Sequence, residues 1–296
     1  VYKRQVKSIK AVNRNDAHRL IEECMIAANV QAAKFIRKNR VPGLYRVHAK
    51  PNPDRFDDLR LYLVSLGLKV PHPDHVQPRD FSKMIEQVSD RPDSAAISMA
   101  MLRSMSHAEY TPKNIGHFGL ALDAYAHFTS PIRRYPDLLV HRAIRHIVRG
   151  GKAGNYGYDG ALMEHLGSIC SQHERRAEEA TREVEGWLKC QYMEDKVGEQ
   201  YPGVITGVTS FGAFVQITEL QIDGLVHVTS LANDYYQFES GSQSLVGERT
   251  GKRYRLGDQL DVVVAKVDLE TNRIYFHLVD ESRDGRSKQA RKKRRR

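Results

Sequence analysis

Near residue 200 the apolar residues of this 296-residue chain change period. From about 14 to 195 they recur mostly at helical spacing, as in Ala17, Leu20, Ile21, Cys24, Met25 and Ala28. From 201 to 281 they fall into short alternating runs broken by Gly and Asp. A helix repeats every 3.6 residues and a strand every two, so the two stretches bury different kinds of face and call for two cores. The expected class is α+β. A mostly helical part covers 1–198, a five-stranded β-barrel of the OB type covers 199–281, and a basic tail, unable to fold alone, covers 282–296.

Asn15 and Asp16 are good N-cap residues for a first helix, which should stop before Pro42-Gly43. Leu44-Tyr45-Arg46-Val47-His48 alternates like a short strand. Prolines 51, 53, 71, 73 and 78 mark loops around helices near 55–67 and 79–89, and Pro92 suits the first position of a helix running to about Met105. Phe118, Leu120 and Leu122 alternate and suggest another strand. Thr129-Ser130-Pro131 opens a helix to about Val148, ended by Gly150-Gly151. A last helix, about 160–195, carries Leu162, Leu166, Ile169, Cys170, Ala177, Ala180, Val184, Trp187 and Leu188 as its apolar positions.

No apolar run approaches the roughly 18 residues that span a bilayer, and the opening Val-Tyr-Lys-Arg-Gln is not a secretory signal. It is not an initiator Met either, so a processed or trimmed chain, or a piece of something longer, is expected. Cys24, Cys170 and Cys190 lie far apart with no metal-ligand spacing and read as small apolar helix residues in a reducing cytosol. The net charge of +10 is uneven: +8 sits in 282–296, −5 in 202–281 and +7 in 1–201. The tail ends Arg291-Lys292-Lys293-Arg294-Arg295-Arg296 and suits a polyanion, or simply solubility.

Thr129-Ser130-Pro131-Ile132-Arg133-Arg134-Tyr135 is physically odd. With Ser130 as N-cap, two arginines occupy the first helical turn, where the macrodipole prefers acids. With Pro136 as the first helical residue, they stand just before it. Both placements crowd cations at a positive end, which suits a bound phosphate. The plain alternative is an Arg133–Asp137 pair on a solvated face. Arg142, Arg145, His146 and Arg149 continue the basic character along the same helix.

In the second zone, 203–205, 208–215, 223–228, 260–267 and 274–279 read as five short strands. Phe211, Phe214 and His227 are candidates for stacking on bases of single-stranded nucleic acid. The two Phe are three apart, so a regular strand would send them to opposite faces unless a bulge intervenes. With a net charge of −5 in this zone, stacking rather than charge has to supply its grip.

The run from His117-Phe118-Gly119 through His127-Phe128-Thr129-Ser130-Pro131-Ile132-Arg133-Arg134-Tyr135-Pro136-Asp137 to His141-Arg142 resembles the signature of the RNase II/RNase R exoribonuclease family. Asn15-Asp16-Ala17-His18 through Glu22-Glu23-Cys24-Met25 resembles an upstream block of that family, and 203–228 is similar to an S1 RNA-binding domain. The resemblance implies the C-terminal half of an RNB catalytic domain, an S1 domain and a tail. The activity it implies is processive 3′→5′ hydrolysis of single-stranded RNA to nucleoside 5′-monophosphates, by a cytoplasmic monomer using Mg²⁺. It makes Arg133 the residue that stabilises the scissile phosphate. It assigns RNA contact to Ser130, Arg134, Tyr135, Phe211, Phe214, His227 and one of Glu22 and Glu23, and gives the tail RNA or ribosome-associated partners.

One departure from the family pattern stands out. The family's closely spaced aspartates lie upstream of the Asn-Asp-Ala-His block, and the fourteen residues before Asn15 contain no acid. Asp54, Asp57 and Asp58 lack the spacing and read as loop and cap acids. The expectation is a fragment with no metal ligands of its own, inactive by itself. The alternative is a non-catalytic single-stranded RNA-binding module whose helices scaffold an S1 barrel.

Overall fold

A computed structural model describes residues 6–9, 14–91, 93–231 and 234–279. Pro92 and the basic tail fall outside the described residues. The chain divides into two compact units, one of 12–87 and 100–181, the other of 1–11, 88–99 and 182–296.

The first unit is helical, with one two-stranded sheet. Helix α1 (Asp16–Lys38) starts where its cap predicts: the Asn15 side chain accepts from the His18 N–H at 3.0 Å, and the His18 ring accepts from the Asn15 N–H at 3.3 Å. Strand β1 (Tyr45–His48) pairs antiparallel with β2 (Ala108–Thr111), Tyr45 opposite Thr111 and His48 opposite Ala108. Helices α2 (Pro53–Ser65), α3 (Pro78–Val88) and α4 (Ser94–Ser104) lie between the two strands in sequence. Asp54 sits in the first turn of α2, and Asp57 pairs with Arg60. Helix α5 (Tyr135–Val148) buries Val140 and Ala143 against Ala32, Ala33 and Ile36 of α1 and Val47 of β1. Helix α6 (Gly160–Glu194) brings Met163 to Leu44, Tyr110 and Leu139.

Three sequence expectations change here. Residues 118–122 are not a strand. Phe118–Leu120 form a 3₁₀ turn capped by the His117 ring, which accepts from the Leu120 N–H, and Ala121 takes a left-handed conformation. The alternation reflects a buried Phe118 and an exposed Leu120 on a turn. The 131–148 helix begins only at Tyr135, with Arg134 extended as its N-cap and Pro136 in the first turn. On α6, Leu162, Val184 and Trp187 are exposed, and the buried positions near its end are Cys190 and Met193. All three cysteines lie in helices and are free, but Cys24 faces solvent. Among the described residues no helix is long and apolar enough to cross a membrane.

The second unit holds a closed barrel. Its strands β3 (Gln200–Thr209), β4 (Gly212–Ile217), β5 (Ile222–His227), β9 (Gln259–Asp268) and β10 (Arg273–Leu278) close through a parallel β10–β5 pair. Ile205, Val215, Ile217, Ile222, Val226, Val262, Val264 and Phe276 fill the interior, with Cys190 and Met193 in the same cluster. The number of barrel strands matches the sequence reading, but 208–215 is not one strand: it holds the end of β3, the Ser210-Phe211 turn and the start of β4. The intervening sheet of β6 (Tyr236–Glu239), β7 (Ser244–Gly247) and β8 (Arg253–Arg255) was not expected. Its strands are three or four residues long, too short to show an alternation.

Gly167 is where α6 meets β2. A Cβ there would lie 2.5 Å from the Tyr110 carbonyl oxygen, and Ser171 one turn on accepts from the Tyr110 N–H at 2.9 Å. Alanine raises helix propensity by about 1 kcal/mol, but backbone cannot retreat as a side-chain tip can. Overpacking of about 1–3 kcal/mol should win. Gly167→Ala is therefore expected to lower the urea midpoint; a rise would show that α6 shifts freely along the strand.

Candidate nucleic-acid interface

The 129–137 segment is a turn tied around one carboxylate. Asp137 is fully buried in the first turn of α5. Its Oδ2 accepts from the Ser130 N–H at 2.8 Å and from the Arg134 guanidinium at 2.9 Å. The Ser130 carbonyl in turn accepts from the Arg133 and Arg134 N–H groups at 3.3 and 3.1 Å. The residue paired with Asp137 is thus Arg134 and not Arg133, so Arg134 faces inward as a strut of the turn. Ile132 and Arg133 project outward, Ile132 wholly exposed. Among the described residues the Arg133 guanidinium has no carboxylate partner. Tyr135 is exposed on the first turn of α5, and the Arg142 guanidinium stands 5.9 Å from its ring centroid.

Behind this turn runs a column of rings. His48 stacks on His117 at 5.2 Å; His117 meets Tyr125 edge-on at 5.4 Å; Tyr125 meets His127 at 5.7 Å; His127 meets Tyr110 at 5.6 Å. The Tyr110 hydroxyl and His127 Nδ1 are hydrogen-bonded at 2.8 Å. Arg46 lies 4.6 Å from the Tyr110 ring centroid and donates to Glu174 at 2.5 Å. Asn29, buried on α1, donates to the Tyr125 hydroxyl and accepts from the Phe128 N–H, both at 2.9 Å, and so pins the approach to Thr129.

Burial keeps the column uncharged. It lowers His117 to about 4 and His127 to about 3, with Arg134 and Arg46 adding to the effect on His127. It also raises Tyr110 to about 12. Sequence reasoning missed Asn29, Arg46, His48, Tyr110, Tyr125, His127 and Glu174 as one assembly. The available signal was the His/Tyr recurrence at 117, 125 and 127; the rest come from distant segments.

Of the two candidate acids on α1, Glu22 is paired with Arg14 while Glu23 is exposed. Among the described residues neither is bonded to the 129–135 turn. On the barrel the three stacking candidates do come together. Phe211 sits in the β3–β4 turn, not within a strand, and meets Phe214 edge-on at 6.0 Å. The turn removes the opposite-face problem that regular strand geometry would impose. Phe214 shares the outward face with His227, because Phe214 pairs with Leu225 and Gly212 with His227. Phe211 and His227 are exposed. Among the described residues no three His, Cys, Asp or Glu side chains converge as a metal site; the residues present do not fit a Mg²⁺ cradle.

Comparison with known proteins places this geometry. The RNB domain family model matches residues 1–150 and the S1 RNA binding domain model matches 194–278. Ribonuclease R of Escherichia coli is 49% identical over 292 residues, covering 96% of this chain and 36% of that protein. Ribonuclease R of Thermotoga maritima is 38% identical over 95% of this chain and 40% of that protein. The chain thus spans little more than a third of the curated relatives it matches. Among solved structures, apo RNase R of Mycoplasma genitalium superposes with a TM-score of 0.84 at 26% identity, over 90% of this chain and 42% of that one. The same enzyme with ribose-methylated single-stranded RNA gives 0.82 at 26% identity, again over 90% and 42%.

The neutral histidines make stability depend on pH. Unfolded, each titrates near 6.5; folded, His117 and His127 do so near 4 and 3. The unfolded chain binds protons that the folded chain does not, so stability falls as pH drops from about 6.5 toward 4, by up to about 1.4 kcal/mol per pH unit for each histidine. Urea unfolding at pH 7 and pH 5 should show this loss, and the H117N/H127N variant should lack most of it. An identical pH dependence in the variant would mean that the column accepts protons while folded.

Proposed function

The chain belongs to the RNB domain family, and on that premise we propose that it is the part of a 3′→5′ exoribonuclease that holds single-stranded RNA and stabilises the scissile phosphate. The observation that carries this is the turn at 129–137. A buried Asp137–Arg134 pair holds it, and Arg133 is left outward and, among the described residues, without a carboxylate partner.

Hydrolysis by this route has water attack the terminal phosphodiester. The 3′ oxygen of the preceding nucleotide leaves, and a nucleoside 5′-monophosphate is released. Charge builds on the non-bridging oxygens, and a planar guanidinium held at that spot stabilises it more than it stabilises the bound substrate. Ser130 and Arg134 set the position of Arg133 through Asp137. Tyr135 offers a ring beside it, and the exposed Glu23 is better placed than the paired Glu22 to reach a ribose hydroxyl. Phe211, Phe214 and His227 provide the barrel's stacking face. Any Mg²⁺ would be held by carboxylates outside the described residues. A monomer in the cytoplasm suits three free cysteines.

For the chain by itself this reading means binding without turnover. Incubated with labelled single-stranded RNA and Mg²⁺, it should retard the RNA and release almost no mononucleotide; efficient release would refute the division of labour. In an enzyme with a complete catalytic domain, Arg133→Ala should lower kcat about a hundredfold or more while RNA affinity changes little. Arg133→Lys, which keeps charge but not the fork, should recover only part. A loss of rate explained wholly by weaker RNA binding would reduce Arg133 to one more cationic contact.

A further inference from the structure

The exposed side of α5 carries a basic stripe that meets the 129–137 turn only where Arg142 stands beside the Tyr135 ring. Residues 138–155 contain Arg142, Arg145, Arg149 and Lys152 and no acid. At 3.6 residues per turn, Arg142, Arg145, His146 and Arg149 fall within a sector of about 100°. The three arginines and Lys152 are exposed. Among the described residues none of the four makes an ion pair; the one acid of α5, Asp137, is buried on Arg134.

The stripe borders a polar groove of about 460 Å³, lined by Arg142, Arg145, His146, Arg149, Gly150, Gly151 and Asn155. His146 closes the loop over one end. Its Nε2 lies 2.9 Å from the Lys152 carbonyl and 3.1 Å from Asn155 Oδ1, both acceptors, so that nitrogen carries the proton and the ring acts as a strut. A Cβ on Gly151 would fall 2.3 Å from the His146 ring, so the loop needs glycine to close this way. Arg142 is held from the side, donating to the Tyr158 hydroxyl at 2.6 Å. That leaves most of its five N–H donors for a ligand.

Complementing the helix dipole does not account for this. That effect fades beyond the last turn, where Arg145 and His146 already lie; Arg142 is further back. Arginines at i,i+3 and i,i+4 also repel by a few tenths of a kcal/mol per pair unless an anion joins them. We propose that Arg142, Arg145, Arg149 and Lys152 form a binding site for the phosphate backbone of single-stranded RNA, separate from the Arg133 turn. Arg142 to Arg149 spans about 10 Å of helix, the length of about three steps of a stacked strand at roughly 3.4 Å per nucleotide. The site rests on the reading that this chain holds RNA.

The test measures binding of labelled oligoadenylate to the 296-residue chain across a series of KCl concentrations. R142Q/R145Q/R149Q should flatten the slope of log affinity against log salt by about 1.5–2 units and weaken binding at low salt more than about tenfold. Phe211→Ala should weaken binding without changing the slope. R145Q/R149Q, which keeps the Arg142–Tyr158 bond, should give most of the effect with an unshifted melting temperature, which excludes misfolding as the cause. An unchanged slope in the arginine variants beside a weakened Phe211→Ala would overturn the stripe and leave RNA binding standing. No change in any variant would overturn both. Loss of heparin binding with RNA binding intact would assign the stripe to another polyanion and overturn it too.

Discussion

One buried carboxylate organises the helical unit's functional edge. Asp137 has no solvent exposure, yet only its Oδ2 is bonded; Oδ1 and the Arg134 Nε find no partner among the described residues. A buried ion pair of this kind gains little net stability, since desolvation offsets the attraction, but losing either member leaves an uncompensated charge. The pair therefore acts as a constraint more than as a source of stability. It draws Arg134 inward, fixes Ser130 through its backbone N–H, and starts α5 at Tyr135 rather than at Pro131. Two adjacent arginines of identical chemistry end in opposite roles because Asp137, seven residues from Ser130, is the one carboxylate at the turn among the described residues.

The ring column is kept neutral first by its burial. Burial disfavours a proton on His127 most, and Arg134 and Arg46 add to it. The histidines then serve as neutral aromatic surface and hydrogen-bonding groups, not as acid–base catalysts near neutral pH. That fits a site whose proposed task is to position a nucleotide and its phosphate. Glu174, bonded to Arg46, is the anion that makes the inward Arg46 tolerable beside the column.

Much of this was legible from residues alone, and the failures share a cause. The caps of α1, the five barrel strands and the end of α5 followed local rules: Asn15 before an amphipathic run, turn residues between alternations, Gly150 after Arg149. What local rules could not give was the direction of a side chain at a break in regular structure. Phe118, Leu120 and Leu122 alternate like a strand, but on the 3₁₀ turn only Phe118 is buried and Leu120 is exposed, so the pattern does not report a shared buried face. The Arg133/Arg134 assignment turned on where α5 begins, and helix boundaries are the least certain part of any sequence reading. The Phe211–Phe214 pairing turned likewise on a two-residue hairpin. The column was invisible for another reason: Asn29, Arg46, Tyr110, His127 and Glu174 come from five separate segments, and only the fold brings them together.

On the proposed reading, the two units rely on different physics for one ligand. The barrel zone carries a net charge of −5 and presents Phe211, Phe214 and His227 outward; its attraction is stacking, short in range and tolerant of base identity. Among the described residues the helical unit presents Arg133, Arg145 and Arg149 outward without a carboxylate partner, and their attraction is long in range and indifferent to the base. A strand that must be held and yet moved stepwise past a fixed phosphate site benefits from this split. Backbone charge repeats identically at each nucleotide, so in the proposed enzyme the Arg133 turn would meet an equivalent phosphate after every step. Stacking can be released one base at a time without losing the rest. Neither contact reads sequence, as suits a chain whose proposed substrate is defined by its free end rather than by its bases.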